Sequence, residues 1–158
     1  DGVFGSRTRE KALAIMRVSR VGAMGVMACV VVLGIKVSAI GSLTGHQIYP
    51  VIILTPVAAR TAMVMAMKYP YARQGEGIGS PYAGKVGQDH IIISVILALA
   101  LSAVIMGVEG VVLAMGTWLV SAAVAWWLAK RLGGMTGDTY GFLNEIAEIT
   151  FLLLAPGI

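Results

Sequence analysis

Long apolar segments constrain the fold of this chain more than any other feature. Four of them are about 20 residues long, and a shorter, more polar one follows, so that the five segments are 22–43, 48–67, 91–108, 110–129 and 141–157. A helix needs about 20 residues to cross the hydrocarbon core of a bilayer. We therefore predict an all-α, polytopic transmembrane helix bundle that forms a single membrane domain over residues 1–158.

The composition agrees with a membrane protein. Hydrophobic residues make up 58% of the chain and charged residues 13%, with a mean hydropathy of +0.84, whereas a soluble domain is about 25% charged. The chain opens on Asp1 and a basic stretch without the apolar core of a secretory signal peptide, so we expect no cleaved leader. Cys29 is the single cysteine, which excludes an intramolecular disulfide, and we expect it to be a small buried apolar residue.

The basic residues are distributed unevenly along the chain. Five of the twelve Lys and Arg precede the first apolar segment, three lie between the second and third, and two follow the fourth. The positive-inside rule then places the N-terminal segment and the loops 68–90 and 130–140 in the cytoplasm. We expect a multi-pass protein of the cell inner membrane with a cytoplasmic active face, in contact with the lipid bilayer and not with nucleic acid.

Ionisable residues inside the apolar segments are candidates for function. Lys36 and Arg60 are costly there unless they are paired or reach the interface. For Lys36 both alternatives stay open, and for Arg60, which lies deeper, we predict a buried anionic partner. Glu145 and Glu148 share a helix face and are the natural partners or metal ligands.

The segment "GGMTGD", residues 133–138, is the strongest candidate site. Its glycines let the backbone approach a ligand, Thr136 can donate to a phosphate, and Asp138 can bind a hard cation. Mg²⁺ is the usual cation where phosphates are held. The 68–90 loop, with Arg73 and several glycines, also suits phosphate binding.

Three motifs in this order resemble those of the cobalamin synthase family, the adenosylcobinamide-GDP ribazoletransferases. They are "DGVFGSRTREKALAIMRVSRVGAMGV", "AARTAMVMAMKYPYARQGEGIG" and "RLGGMTGDTYGFLNEIAE", and Lys36 stands where the family has a lysine. Asp1 and Gly2 are similar to the end of an aspartate-rich family motif, so the chain resembles an N-terminally incomplete member. Val18 stands where the family pattern has an aspartate.

The resemblance implies an Mg²⁺-dependent phosphotransferase. Its substrates would be adenosylcobinamide-GDP and α-ribazole or α-ribazole 5′-phosphate, and GMP would be released. Asp1 and Asp138 would bind the metal, and Asp138, Glu145 and Glu148 would be catalytic. Contacts with the phosphates or the rest of the substrate are implied for Arg17, Ser19, Arg20, Lys36, Arg60, Arg73, Gly134, Thr136 and Gly137.

Other functions stay open on the residues alone. A CDP-alcohol-type membrane phosphotransferase also uses aspartates and magnesium, although its Asp-Gly-x-x-Ala-Arg spacing is absent from this sequence. A small membrane transporter could use Arg60, Lys36 and Glu145 as a relay. A fragment that only folds or assembles is a third alternative, and the sequence leaves a homo-oligomer open.

Overall fold

The computed structural model describes residues 1–18, 20–72 and 86–157. Within these ranges it has no strand and consists of helices α1 (Arg9–Arg17), α2 (Ala23–Ser42), α3 (Ile48–Ala66), α4 (Gln88–Leu132) and α5 (Gly137–Leu154), with 3₁₀ turns at Gly45–Gln47 and Ala155–Gly157. The predicted all-α fold is confirmed. Among the described helices, three segments are long and apolar enough to cross a membrane: Ala23–Ser42, Gly45–Ala66 and Gln88–Leu132.

Helix α4 consists of two arms that fold back on each other. Gly107 has φ 61° and ψ −142°, a backbone conformation that other residues rarely adopt. A Cβ atom added to Gly110 would lie 2.5 Å from the carbonyl oxygen of Ser102, although eight residues of straight helix span about 12 Å. The chain therefore reverses at Gly107, next to the boundary between the predicted segments 91–108 and 110–129. That each arm crosses the bilayer stays a prediction.

The core lies between α3, both arms of α4, and α5. Its centre is lined by small side chains, which let membrane helices approach closely; they are Ala59, Ala62, Ala98, Ala114 and Ala147. Trp118 fills the space beside them, and its indole Nε1 donates to the carbonyl oxygen of Ala58 at 3.0 Å. One end of the core contains Leu54, Leu113 and Phe151. The other end contains Leu128, Met135 and Leu143, and it supports the candidate site.

Helix α2 lies at the periphery of the bundle. Ala39 is its one buried residue, and many of its large apolar side chains are exposed, as expected for a helix that faces lipid; they include Met24, Met27, Val30, Val31 and Val37. Cys29 belongs to this surface, so the expectation that it is buried was wrong. The described helix that α2 contacts most is α5.

Candidate functional site

A pocket of about 400 Å³ lies where the N-terminal segment, α1 and the beginnings of α2 and α5 meet. Among the described residues, the charged ones that line it are Asp1, Arg20 and Asp138. Most of the remaining wall is apolar and includes Ile15, Met16, Val18, Val21, Met24 and Phe142. Two acids that are far apart in the sequence therefore share one pocket with an arginine.

The carboxylate of Asp1 binds the N-terminus of α2. Its Oδ2 accepts a hydrogen bond from the backbone N–H of Gly22 at 2.7 Å, and its Oδ1 accepts one from Gly25 at 3.1 Å. The first N–H groups of a helix lack partners within the helix and favour a negative charge. A Cβ atom on either glycine would lie 2.6 Å from an Asp1 oxygen. The Gly-x-x-Gly spacing is therefore what admits the carboxylate.

The segment 133–138 is fixed by backbone pairing with residues 70–72. The N–H of Met135 donates to Pro70 and the N–H of Ala72 donates to Met135, each at 2.8 Å. Gly134 is buried and passes so close that an added Cβ would lie 2.4 Å from the carbonyl oxygen of Pro70. Arg9 of α1 also donates to the carbonyl oxygen of Ala72, at 3.4 Å. Segments from all three sequence motifs therefore meet here.

Thr136 forms the N-cap of α5. Its Oγ1 accepts from the N–H of Thr139 at 3.2 Å, and its own N–H donates to Thr139 Oγ1 at 2.7 Å, which is a capping box. We expected Thr136 to donate to a phosphate, but it is fully buried and does not line the pocket. Asp138 follows in the first turn of α5 and is exposed. The cap therefore orients the turn that carries the acid.

A second polar cluster joins α2, α3 and α5. Lys36 Nζ lies 2.7 Å from Glu145 Oε2 and 2.7 Å from Glu148 Oε2. Asn144 Nδ2 donates to Glu148 Oε1 at 2.7 Å, and Arg60 donates to Asn144 Oδ1. We call these five residues the Lys36 cluster.

Comparison with known proteins assigns the family. A sequence model described as cobalamin-5-phosphate synthase matches residues 1–156. The chain belongs to the cobalamin-5-phosphate synthase family. The resemblance inferred from the three motifs is confirmed.

Relatives with this name are identical to the chain at more than a third of the aligned positions. The adenosylcobinamide-GDP ribazoletransferases of Klebsiella pneumoniae (strain ATCC 700721), Clostridium novyi and Desulforamulus reducens are 35%, 37% and 38% identical over 97%, 97% and 98% of this chain. The chain spans 63%, 62% and 63% of their lengths. No solved structure matches it.

Other predicted site residues of this cobalamin-5-phosphate synthase family member lie in different parts of the structure. Arg20 lines the pocket, exposed Arg17 ends α1, and exposed Gly137 begins α5. Ser19 and Arg73 lie outside the described residues, as does most of the 68–90 loop. The prediction that all these residues contact substrate stays a prediction.

The Lys36 cluster contains both basic residues that lie inside the apolar segments, and it shows which partners they have. Two alternatives were open for Lys36, pairing with an acid and reaching the membrane interface. The structure pairs it with both glutamates. In place of the buried anionic partner that we predicted, Arg60 is exposed and donates to the neutral Asn144, whose amide also binds Glu148. Asn144 lies within the third motif but was missed, because only the charged residues of that helix were considered as partners for Arg60. Its position four residues before Glu148, on the same helix face, is the signal that could have identified it.

Two carboxylates of the pocket are candidates for the magnesium site that the family resemblance implies. No three His, Cys, Asp or Glu side chains come close enough to form a metal site among residues 1–18, 20–72 and 86–157. Mg²⁺ at phosphate sites is usually held by one or two carboxylates, substrate phosphates and water. Asp1 and Asp138 supply that number of carboxylates. Val18, which the resemblance aligns with a family aspartate, lines the same pocket with 58% of its surface exposed.

Proposed function

We propose that this chain transfers the adenosylcobinamide-phosphate group from adenosylcobinamide-GDP to α-ribazole or α-ribazole 5′-phosphate and releases GMP. The names of its relatives support the reaction class. The proposal depends on one structural observation: Asp1, Arg20 and Asp138, from three separate segments, line the same pocket.

The reaction makes specific demands on that pocket. A hydroxyl oxygen of the acceptor attacks the cobinamide-linked phosphorus and loses its proton as the new P–O bond forms. The bond from this phosphorus to the bridging oxygen breaks, and GMP leaves with the electron pair. Catalysis of phosphoryl transfer depends mainly on positioning the reactants and on stabilising charge at the phosphoryl oxygens.

The charged side chains of the pocket suit these demands. The Arg20 guanidinium would bind phosphate oxygens, to which arginine can donate two parallel hydrogen bonds. Asp1 and Asp138 would hold Mg²⁺, which when bound would neutralise charge on the diphosphate. Before substrate binds, the carboxylate of Asp1 is already held by the N-terminus of α2, and the backbone turn that carries Asp138 is held by the cap of α5.

The apolar wall of the pocket suits a bulky substrate group. Met16 of α1, Met24 of α2 and Phe142 of α5 bring apolar surface to the same cavity as the charges. The bulky corrinoid would lie against this wall while its diphosphate reaches the charged residues. The basic residues around the pocket support an opening toward the cytoplasm at the inner membrane. The nucleotide part of the substrate would reach the pocket from that side.

The geometry distinguishes Glu145 and Glu148 from the pocket acids. Neither glutamate lines the pocket, and both bind Lys36. Glu145 is seven residues beyond Asp138 on α5, which corresponds to about 10 Å along the helix. We therefore give Asp138 the direct role at the phosphates, and Glu145 and Glu148 a supporting one.

Measurement of GMP release tests the proposal. Membranes containing this chain, supplied with adenosylcobinamide-GDP, α-ribazole and Mg²⁺, should release GMP. Asp138→Asn should lower kcat/KM by about 100-fold or more, as expected when a group that stabilises transition-state charge is lost. The matched control is Glu109→Gln, which neutralises an exposed acid two residues after the turn of α4, at the other end of the bundle.

Two outcomes would contradict the proposal. Equal GMP release by Asp138→Asn and by the unchanged chain would exclude Asp138 from the site. Substrate flux across sealed vesicles without GMP release would favour the transporter alternative.

A further inference from the structure

We propose that Lys36 is a positioning residue, which ties α2 to α5 through Glu145 and Glu148 and so holds Asp1 and Asp138 in one pocket. Its effect on catalysis rests on the proposed function, whereas its effect on helix position does not. Lys36 acts from a distance, because it does not line the pocket.

The first step concerns how α2 is attached to the bundle. Most of the helix is exposed, with Ala39 its one buried residue. Apolar contacts therefore anchor it weakly in comparison with α3 and α5, whose inner faces are largely buried. The two 2.7 Å ion pairs of Lys36 are the polar contacts that the described structure gives between α2 and α5.

The second step connects α2 with the pocket. Val21, Met24, Gly25 and Ala28, at or near the start of α2, form part of its wall. The N–H of Gly25 also holds the carboxylate of Asp1. A displacement of α2 would therefore move both the wall and the acid, while Asp138 stays with α5. Lys36 lies eleven residues after Gly25, about 16 Å along the helix.

The third step concerns the charges. Glu145 and Glu148 lie one helical turn apart, and Lys36 neutralises part of their combined negative charge. Within apolar surroundings, charges interact more strongly than in water, and unpaired ones are costly. Loss of the ammonium group leaves two neighbouring carboxylates on α5 without their partner on α2. The helices then lose their polar attachment at this point.

A distance measurement tests the inference without relying on activity. Spin labels are placed at Met24→Cys on α2 and Phe142→Cys on α5, in a Cys29→Ser background, and the chain is reconstituted in lipid nanodiscs. We expect Lys36→Met to broaden the label-to-label distance distribution measured by electron paramagnetic resonance. Lys36→Arg, which keeps the positive charge, should retain the narrow distribution, as should Val37→Ala, the control at the neighbouring exposed position.

A charge exchange covers the case in which Lys36→Met fails to fold. Lys36→Glu with Glu148→Lys keeps two carboxylates and one ammonium group in the cluster. The double variant should have a narrower distance distribution than either single variant. An unchanged distribution in folded Lys36→Met, or no recovery in the folded double variant, would overturn the inference.

Activity measurements then separate positioning from direct phosphate binding. Lys36→Met should lower kcat by about 10- to 100-fold, because small misplacements of reacting groups have effects of this size, and Lys36→Arg should restore most of it. Loss of activity with an unchanged distance distribution would show that Lys36 acts at the substrate instead. Absence of GMP release by the unchanged chain would contradict the proposed function alone, since the distance measurement would still decide the role of Lys36.

Discussion

At the scale of single residues, the number of carboxylates in the pocket determines how strongly it can bind a cation. Asp1 and Asp138 line it in the part of the chain that the structure describes, and Val18 occupies the position where the family resemblance leads us to expect a further aspartate. Because the Val18 side chain is mostly exposed and sits at the end of α1, an aspartate can be introduced there without disturbing the core.

We expect Val18→Asp to strengthen metal binding. A third carboxylate adds both an oxygen ligand and a negative charge, and the affinity of such sites rises with ligand charge. Binding of Mn²⁺ as a spectroscopic substitute for Mg²⁺ should become tighter, and GMP release should reach half-maximum at a lower Mg²⁺ concentration. Val18→Asn is the control, since it has a similar shape without the charge. Equal Mn²⁺ affinity in both variants would place position 18 outside the metal site.

The sequence motifs indicated which residues belong to the site better than they indicated what each residue does there. Asp138 and Arg20 line the pocket, while their roles there stay predictions. Thr136 and Gly134 come from the same glycine-rich motif, yet one caps a helix and the other admits a neighbouring backbone. A motif records that a position is constrained, but ligand binding and tight packing can constrain it equally.

At the scale of elements, the beginning of α2 depends on the contact between its backbone and Asp1. We expect Gly25→Ala to have a lower midpoint of thermal unfolding than Gly34→Ala, because at position 25 the new Cβ would displace the carboxylate and remove a helix cap worth about 1 kcal/mol. Gly34→Ala is the matched control in the same helix, since nothing lies within 4 Å of its added Cβ. Alanine is favoured over glycine within helices, so the control should be at least as stable as the unchanged chain.

The same pair of variants can be compared by GMP release. Displacement of Asp1 should reduce the activity of Gly25→Ala, while Gly34→Ala stays active. If Gly25→Ala had the stability and activity of Gly34→Ala, the hydrogen bonds of Asp1 to α2 would be unimportant for both.

The elements also show why local patterns describe helices better than their arrangement. Apolar length alone predicts segments close to α2 and α3. The apolar segments 91–108 and 110–129 predict a break next to the reversal inside α4, but glycines are common throughout this chain, so the sequence does not single out Gly107 as the residue at the turn. The pairing of residues 70–72 with Met135 joins distant segments, and no periodicity in either one predicts it.

At the scale of the whole molecule, the candidate site and the turn of α4 lie at opposite ends of the bundle. If the basic residues set the orientation, the site faces the cytoplasm and the turn faces outward. Single cysteines at Lys130 and Glu109, in a Cys29→Ser background, should then react with a membrane-impermeant thiol reagent from opposite sides of sealed vesicles. Reaction of both from the same side would exclude the orientation proposed here.

The turn at Gly107 has a consequence for biosynthesis. Because both arms of α4 are apolar and only a few residues separate them, they can enter the bilayer together as a helical hairpin. The polar group that must pass through the hydrocarbon is then mainly the carboxylate of Glu109, not an extended hydrophilic loop. The insertion machinery would therefore handle the two arms as one unit, and a side chain at Gly107, strained at φ 61°, would disturb the hairpin itself.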